Sequence, residues 1–280
     1  MHTDNDNIRA LVSLIGQTSL DQFKQRCRAV YIMGSLARGG FSEAASDIDI
    51  GIVLQGPLQP GDQAQIDKVL STSVTQYPDV KNNVSIFWGS VESINGASGD
   101  GRYPPFDRLD LIDHALLVNG IDIREQLTRP SKQALEVASA KFALAYLGNT
   151  ERIEEFFACD QIAAKGTVYI TKTILFPARF IYLQQSGEVA GNAASYQFYI
   201  DNFQGYDAEL VALGYHWRTQ PLPESISAIT EPLSKGLVPL YQRFINSYIP
   251  CMKTYHEDNL AEALQQWKLA ISQHSQTRTN

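Results

Sequence analysis

The sequence predicts an α+β protein, a small mixed-sheet domain followed by an all-α helical bundle. Three observations carry that expectation. Up to about residue 129, apolar runs of strand length alternate with segments of helical period; beyond Arg129-Pro130 almost every apolar residue recurs at helical spacing; and Gly, Pro, Asn and Asp cluster at the ends of the strand-like runs. The expected domains are therefore 1–129 and 130–280.

The elements follow in order. Ile8 to Arg28 has a helical period, with Leu11, Leu14, Ile15 and Phe23 on or near one face. Val30 to Met33 reads as a buried strand that Gly34-Ser35 breaks, and Leu36-Ala37-Arg38 begins a short helix. Gly39-Gly40 lets the chain turn back into a second strand, Ile48 to Leu54. After Gly56-Pro57 and Pro60-Gly61 come a helix from Gln63 to Tyr77 and a strand from Val84 to Trp88. Gly96 to Pro105 is a Gly/Ser/Asp/Pro-rich loop, a lid over a substrate or a plain excursion of the chain. His114 to Val118 adds a strand, closed by a turn at Asn119-Gly120. In the second half, helices are expected at Ala134–Leu147, Ile162–Gln185, Ala193–Phe203 and Ala208–Tyr215, with two more after Pro223. Pro177 should kink or end its helix, and Pro232 and Pro239 should interrupt the later one.

Chemistry concentrates in Gly34-Ser35-Leu36-Ala37-Arg38-Gly39-Gly40 and the following Ser46-Asp47-Ile48-Asp49. Side chains alternate across a strand, so Asp47 and Asp49 share one face while Ile48, Ile50 and Ile52 take the other. Neighbouring carboxylates repel unless a cation lies between them or one is protonated. Mg²⁺ suits such a pair because it prefers oxygen and keeps water and phosphate oxygens as its other ligands. Small residues at Gly34 and Ser35 let backbone N–H groups approach an anion, Ser35 adds a hydroxyl, and Arg38 adds a positive charge. An Asp-x-Asp can also be a solvated strand face, and a Gly-Ser turn is common; the two in this order and at this distance point to phosphate and metal chemistry.

Gly34-Ser35 with Asp47-Ile48-Asp49 resembles the signature of the DNA polymerase β-like nucleotidyltransferase superfamily. The resemblance implies that Gly34 and Ser35 hold the nucleoside triphosphate and that Asp47 and Asp49 bind Mg²⁺ and are catalytic; Arg38 and Ser46 are further candidates for binding the nucleotide. Pro104 to Leu111, Asn119 to Arg124, Pro177-Ala178-Arg179-Phe180, Ser186 to Val189 and Trp217-Arg218 are similar, more diffusely, to the aminoglycoside nucleotidyltransferase-like branch. Two departures stand out. The superfamily usually carries a third carboxylate on the next strand, and Val84 to Trp88 has none, with Ser85 in its place; Asp79, Glu92, Asp107 and Asp110 are nearby acids. After Gly187, where relatives often carry Ser-Lys, this chain has Gly191-Asn192, with Lys172 and Arg179 as cations upstream. A cleft between the domains would hold nucleotide and acceptor, and Tyr169, Tyr182, Tyr199 and Trp217 would line it or pack in the core, the commoner fate of aromatics at helical spacing.

Composition bounds the partners. The 280 residues are 44% hydrophobic, enough for two packed cores, and the formal net charge of -7 without a Lys/Arg-rich run argues against nucleic acid as a partner. Cys27, Cys159 and Cys251 are isolated, so free thiols are expected rather than disulfides or a zinc site. His114, His216 and His256 have no partner at ligand spacing. A polar amino terminus and the lack of a long apolar run make the cytoplasm the expected location, with no membrane contact. The resulting expectation is a Mg²⁺-dependent nucleotidyltransferase that uses ATP or another NTP and modifies a hydroxyl of a small molecule, aminoglycoside-like or otherwise. The alternatives are a catalytically degenerate homologue that binds nucleotide or protein, and an antitoxin-type enzyme with a protein acceptor.

Overall fold

The computed structural model describes residues 1–43, 45–80, 84–96 and 101–277, with side chains through residue 274. The chain divides into two compact units, Met1–Pro130 and Ser131–Asn280.

The first unit is built on four strands, β1 (Cys27–Met33), β2 (Ile48–Leu54), β3 (Val84–Ser90) and β4 (Leu116–Gly120), in spatial order β3-β2-β1-β4. β1 runs antiparallel to β2 and β4, while β2 and β3 are parallel, so the sheet is mixed as expected. Its helices are α1 (Asp6–Phe23), the single turn α2 (Gly34–Arg38), α3 (Asp62–Val74), the short α4 (Val91–Ile94) and α5 (Pro105–His114). Asn5 caps α1, its side chain accepting from the N–H groups of Asn7 and Ile8. Ile48, Ile50 and Ile52 of β2 bury against Leu11 and Ile15 of α1 and Ile66 and Val69 of α3. The opposite face of the sheet packs Tyr31, Met33, Val53 and Phe87 against Leu111 of α5 and Ile94.

Two expectations are corrected here. β1 begins at Cys27, three residues early: Cys27 and Ala29 are buried on opposite faces of the sheet across a register shift, and the partly exposed Arg28 between them hides the strand from a reading by apolar runs. His114 does not open a strand; it ends α5, and β4 starts at Leu116. Pro105 in the first turn of α5 costs no hydrogen bond, so it starts that helix. In the Gly96–Pro105 loop, residues 97–100 lie outside the described residues; Arg102 exchanges two backbone hydrogen bonds with Trp88, at 2.8 and 3.1 Å, which ties the far end of the loop to β3.

The second unit is helical, as expected: α6 (Lys132–Tyr146), α7 (Thr150–Glu155), α8 (Cys159–Ala164), α9 (Gly166–Ser186), α10 (Asn192–Asn202), α11 (Tyr206–Thr219), α12 (Ile226–Thr254) and α13 (Asp258–Thr277). Tyr199 and Trp217 are core residues, Tyr199 donating to Asp207 at 2.9 Å, while the hydroxyls of Tyr169 and Tyr182 bond to Glu155 and Glu188. All three cysteines are free. No helix among the described residues is long and apolar enough to cross a membrane.

The prolines do not break their helices. α9 runs through Pro177 and α12 through Pro232, Pro239 and Pro250. A helical proline leaves the carbonyl four residues back without its N–H partner. For Pro177 that carbonyl belongs to Thr173, and the buried hydroxyl of Tyr241, on α12, donates to it at 2.9 Å. Pro232, Pro239 and Pro250 sit on the less buried side of α12, opposite Leu233, Leu237, Leu240 and Phe244, where water can take up the freed carbonyls. Tyr241→Phe is therefore expected to strand the Thr173 carbonyl and to cost about 1–3 kcal/mol, measured by urea denaturation. A variant as stable as the parent would show that this bond does not support the helix at Pro177.

Candidate active site

The candidate site forms where β1 ends. Met33 is the cross-strand partner of Asp49, so the turn that follows β1 lies beside the start of β2. Gly34 opens α2 with φ +63°, in the left-handed region, and Gly39 and Gly40, at +100° and +75°, carry the chain away again. A Cβ built on Gly34 would lie 2.2 Å from Oδ2 of Asp49. The carboxylate therefore occupies the space of the missing side chain, and glycine is required both by backbone and by close approach. Asp47 directly precedes β2; it and Asp49 are half-buried, while Ile48 and Ile50 between and beyond them are buried on the other face. The alternation expected from the sequence is thus present.

The supporting residues have specific partners. Ser46 is buried; its hydroxyl accepts from the Ser42 N–H at 3.0 Å and its own N–H donates to the Ser42 carbonyl at 2.7 Å, which closes the loop into Asp47. Ser35 is half-buried at the start of α2, and its carbonyl accepts from the Gly39 N–H at 2.9 Å. Arg38 forms an ion pair with Asp110 of α5, and the other oxygen of Asp110 accepts from the Gly34 N–H at 2.5 Å. One buried carboxylate thus holds both ends of the turn. Tyr103 completes this face: its hydroxyl donates to Sδ of Met33 at 3.0 Å and fills the space above Gly51, where a Cβ would come within 2.3 Å of it. Burial first, and then the negative charges of Asp107 and Asp110, push the Tyr103 phenol well above its usual range, so it stays protonated.

The other acids divide by location. Ser85 is the parallel-strand partner of Asp49, so a hydroxyl stands beside the carboxylate on the strand expected to carry a third acid. Asp79 lies on the opposite face of β2, lining with Asn5, Ile8, Glu43 and Ser46 a cavity of about 150 Å³. Among the described residues no three His, Cys, Asp or Glu side chains form a metal-binding group. Asp47 and Asp49 nonetheless fit Mg²⁺: both offer oxygen, both are partly open, and Asp49 is seated in the cradle left by Gly34. Such an ion would take its remaining ligands from water and substrate.

The family described as nucleotidyltransferase domain matches residues 19–95, the segment that carries β1, α2, β2, α3 and β3. This segment is similar to nucleotidyltransferase domains. The match spans Gly34, Ser35, Asp47 and Asp49, and leaves out α5 and with it Asp110. A search of curated proteins finds no match. The fold is similar to that in the crystal structure of spectinomycin adenyltransferase AAD(9) from Enterococcus faecialis with ATP and spectinomycin, with a TM-score of 0.57 and 12% identity over 92% of this chain and 99% of that one. At that identity the likeness is one of fold, and it extends through the helices that follow the matched segment.

The roles of Asp110 and Tyr103 escape a reading of the sequence. The one available signal is that Asp110 stands between Leu109 and Leu111, both buried, at a place in α5 where an acid needs an internal partner. Gly34→Ala is expected to cost about 1–2 kcal/mol from the left-handed backbone alone and to displace the Asp49 carboxylate. Chemical denaturation reads the first effect and a crystal structure of the variant the second; wild-type stability with Asp49 in place would contradict this geometry.

Proposed function

We propose that this protein is a Mg²⁺-dependent nucleotidyltransferase that moves a nucleoside monophosphate from ATP or another NTP onto a hydroxyl of a small molecule. The observation that carries the reading is the seating of Asp49 on Gly34, which joins the Gly-Ser turn and the paired carboxylates into one site. The nucleotidyltransferase match over residues 19–95 supports transfer of a nucleotide, and the fold neighbour crystallised with ATP and spectinomycin supports ATP and a small-molecule acceptor.

In this reading Asp47 and Asp49 hold the metal, which when bound offsets negative charge on the reacting phosphates. Gly34 and Ser35 present a short stretch of backbone and a hydroxyl to the triphosphate, and Ser46 fixes the loop that delivers Asp47. Arg38, engaged by Asp110, supports the turn from its far end. The acceptor oxygen forms a bond to the α-phosphorus, the bond from that phosphorus to the bridging oxygen breaks, and pyrophosphate leaves. The acceptor proton passes to water or to a base outside β3, whose residue beside Asp49 is Ser85.

A second reading, a homologue that binds nucleotide without turning it over, is favoured by Ser85 at that position. Calorimetry with ATP and Mg²⁺, followed by a labelled-nucleotide assay over a broad panel of hydroxyl acceptors, separates the two. Transfer supports the first reading, and tight binding with no transfer supports the second. Label appearing on a protein instead identifies a protein acceptor. Asp47→Asn and Asp49→Asn are each expected to reduce transfer to background with the thermal midpoint unchanged or raised, since each relieves carboxylate repulsion. Full Mg²⁺-dependent activity in either variant would refute the metal assignment.

A further inference from the structure

The site contains a carboxylate that neither the paired aspartates nor the matched segment accounts for. Asp110 sits in the middle of α5 and is 7% exposed. A buried carboxylate is costly unless paired and hydrogen-bonded, and this one is paired within the turn. One oxygen accepts from the Gly34 N–H at 2.5 Å and the other accepts from Nη1 of Arg38, itself only 19% exposed in its side chain. Gly34 and Arg38 are the first and last residues of α2. Oxygens of two separate carboxylates therefore meet Gly34 from two directions: Asp110 at its N–H and Asp49 at its Cα.

We propose that Asp110 is a positioning residue of the nucleotide site, a clamp that holds α2 at both ends and so fixes the Gly34–Ser35 turn against Asp49. Charged acceptors make the stronger hydrogen bonds, and a carboxylate matches the two donors without leaving either buried group unpaired. The Gly34 N–H is satisfied inside the protein, which leaves the later amides of the turn and the Ser35 hydroxyl to meet phosphate. Arg38 is paired with Asp110 at the same time, so its contribution to the site passes through that carboxylate. The third carboxylate of this site is then on a helix, with a structural partner, and it does not ligate the metal. Asp110 thereby adds a residue outside 19–95 to the machinery. The clamp rests on the nucleotide reading for its consequence, although it is itself measurable without nucleotide.

The test uses the full chain and its Asp110→Asn and Arg38→Met variants. Three quantities are read: the amide resonance and hydrogen exchange of Gly34 without ligand, the affinity for a non-hydrolysable ATP analogue with Mg²⁺ by calorimetry, and kcat and KM for ATP in the transfer assay. The clamp predicts a shifted and faster-exchanging Gly34 amide in both variants, an affinity for the analogue at least tenfold weaker, and a rise in KM larger than the fall in kcat. The Mg²⁺ concentration for half-maximal activity should stay as in the parent, because Asp47 and Asp49 are intact. An unchanged Gly34 amide in Asp110→Asn, or nucleotide affinity equal to or tighter than that of the parent, overturns the proposal. If Asp110→Asn does not fold, Arg38→Met decides: loss of a phosphate ligand alone would weaken affinity and leave the ligand-free Gly34 amide undisturbed, which would also overturn it. Failure of the parent to bind the analogue would instead defeat the nucleotide reading, and the amide measurement would still report on the clamp.

Discussion

Much of the local structure depends on the contact between the Asp49 carboxylate and the Cα of Gly34. A carboxylate can lie there because the residue has no side chain and because its φ of +63° turns the chain out of β1 at once. The contact sets the distance between the end of one strand and the start of its antiparallel neighbour. α2 begins at the same Gly34, whose N–H meets Asp110 of α5. From one steric allowance the turn, the acidic strand and the helix opposite acquire a common geometry.

The sheet keeps this arrangement rigid by dividing its faces. Isoleucines at alternate positions of β2 are committed to the α1 and α3 side, and burial of each such side chain stabilises by about 1.5–3 kcal/mol, so a one-residue slip that would turn Asp49 inward is strongly disfavoured. On the other face Gly51 makes room for the Tyr103 hydroxyl, and Met33 receives its hydrogen bond. The polar end of that face is thus bounded by an apolar and aromatic floor. The carboxylates remain half-open at its rim, where a cation and phosphates can reach them.

The helical unit shows the same dependence on long-range partners. Pro177 in the middle of α9 is tolerated because Tyr241, 68 positions from Thr173, supplies the missing donor. Nearby, Glu155 accepts from Arg152 at 2.9 Å and from Tyr169 at 2.6 Å and also bonds Lys165, so the buried charges of Arg152 and Glu155 in α7 are matched within the unit. Burial alone would push the Glu155 carboxyl up, yet these donors and the Arg152 charge hold it below the usual range.

The amino-acid sequence by itself determined the fold class, the alternation that puts Asp47 and Asp49 on one strand face, and the turn at Gly34-Ser35. These are local properties: side-chain period, glycine at a positive φ, and apolar spacing act over a few neighbouring residues. Three matters required the tertiary structure. The strand start at Cys27, the continuity of the proline-bearing helices and the engagement of Arg38 by Asp110 each depend on a partner far along the chain. Seventy-two positions separate Arg38 from Asp110, and no spacing rule spans that distance. Only folding decides which buried charge a guanidinium meets, because the pairing is chosen by proximity in space and by the cost of leaving either ion alone in a low-dielectric interior.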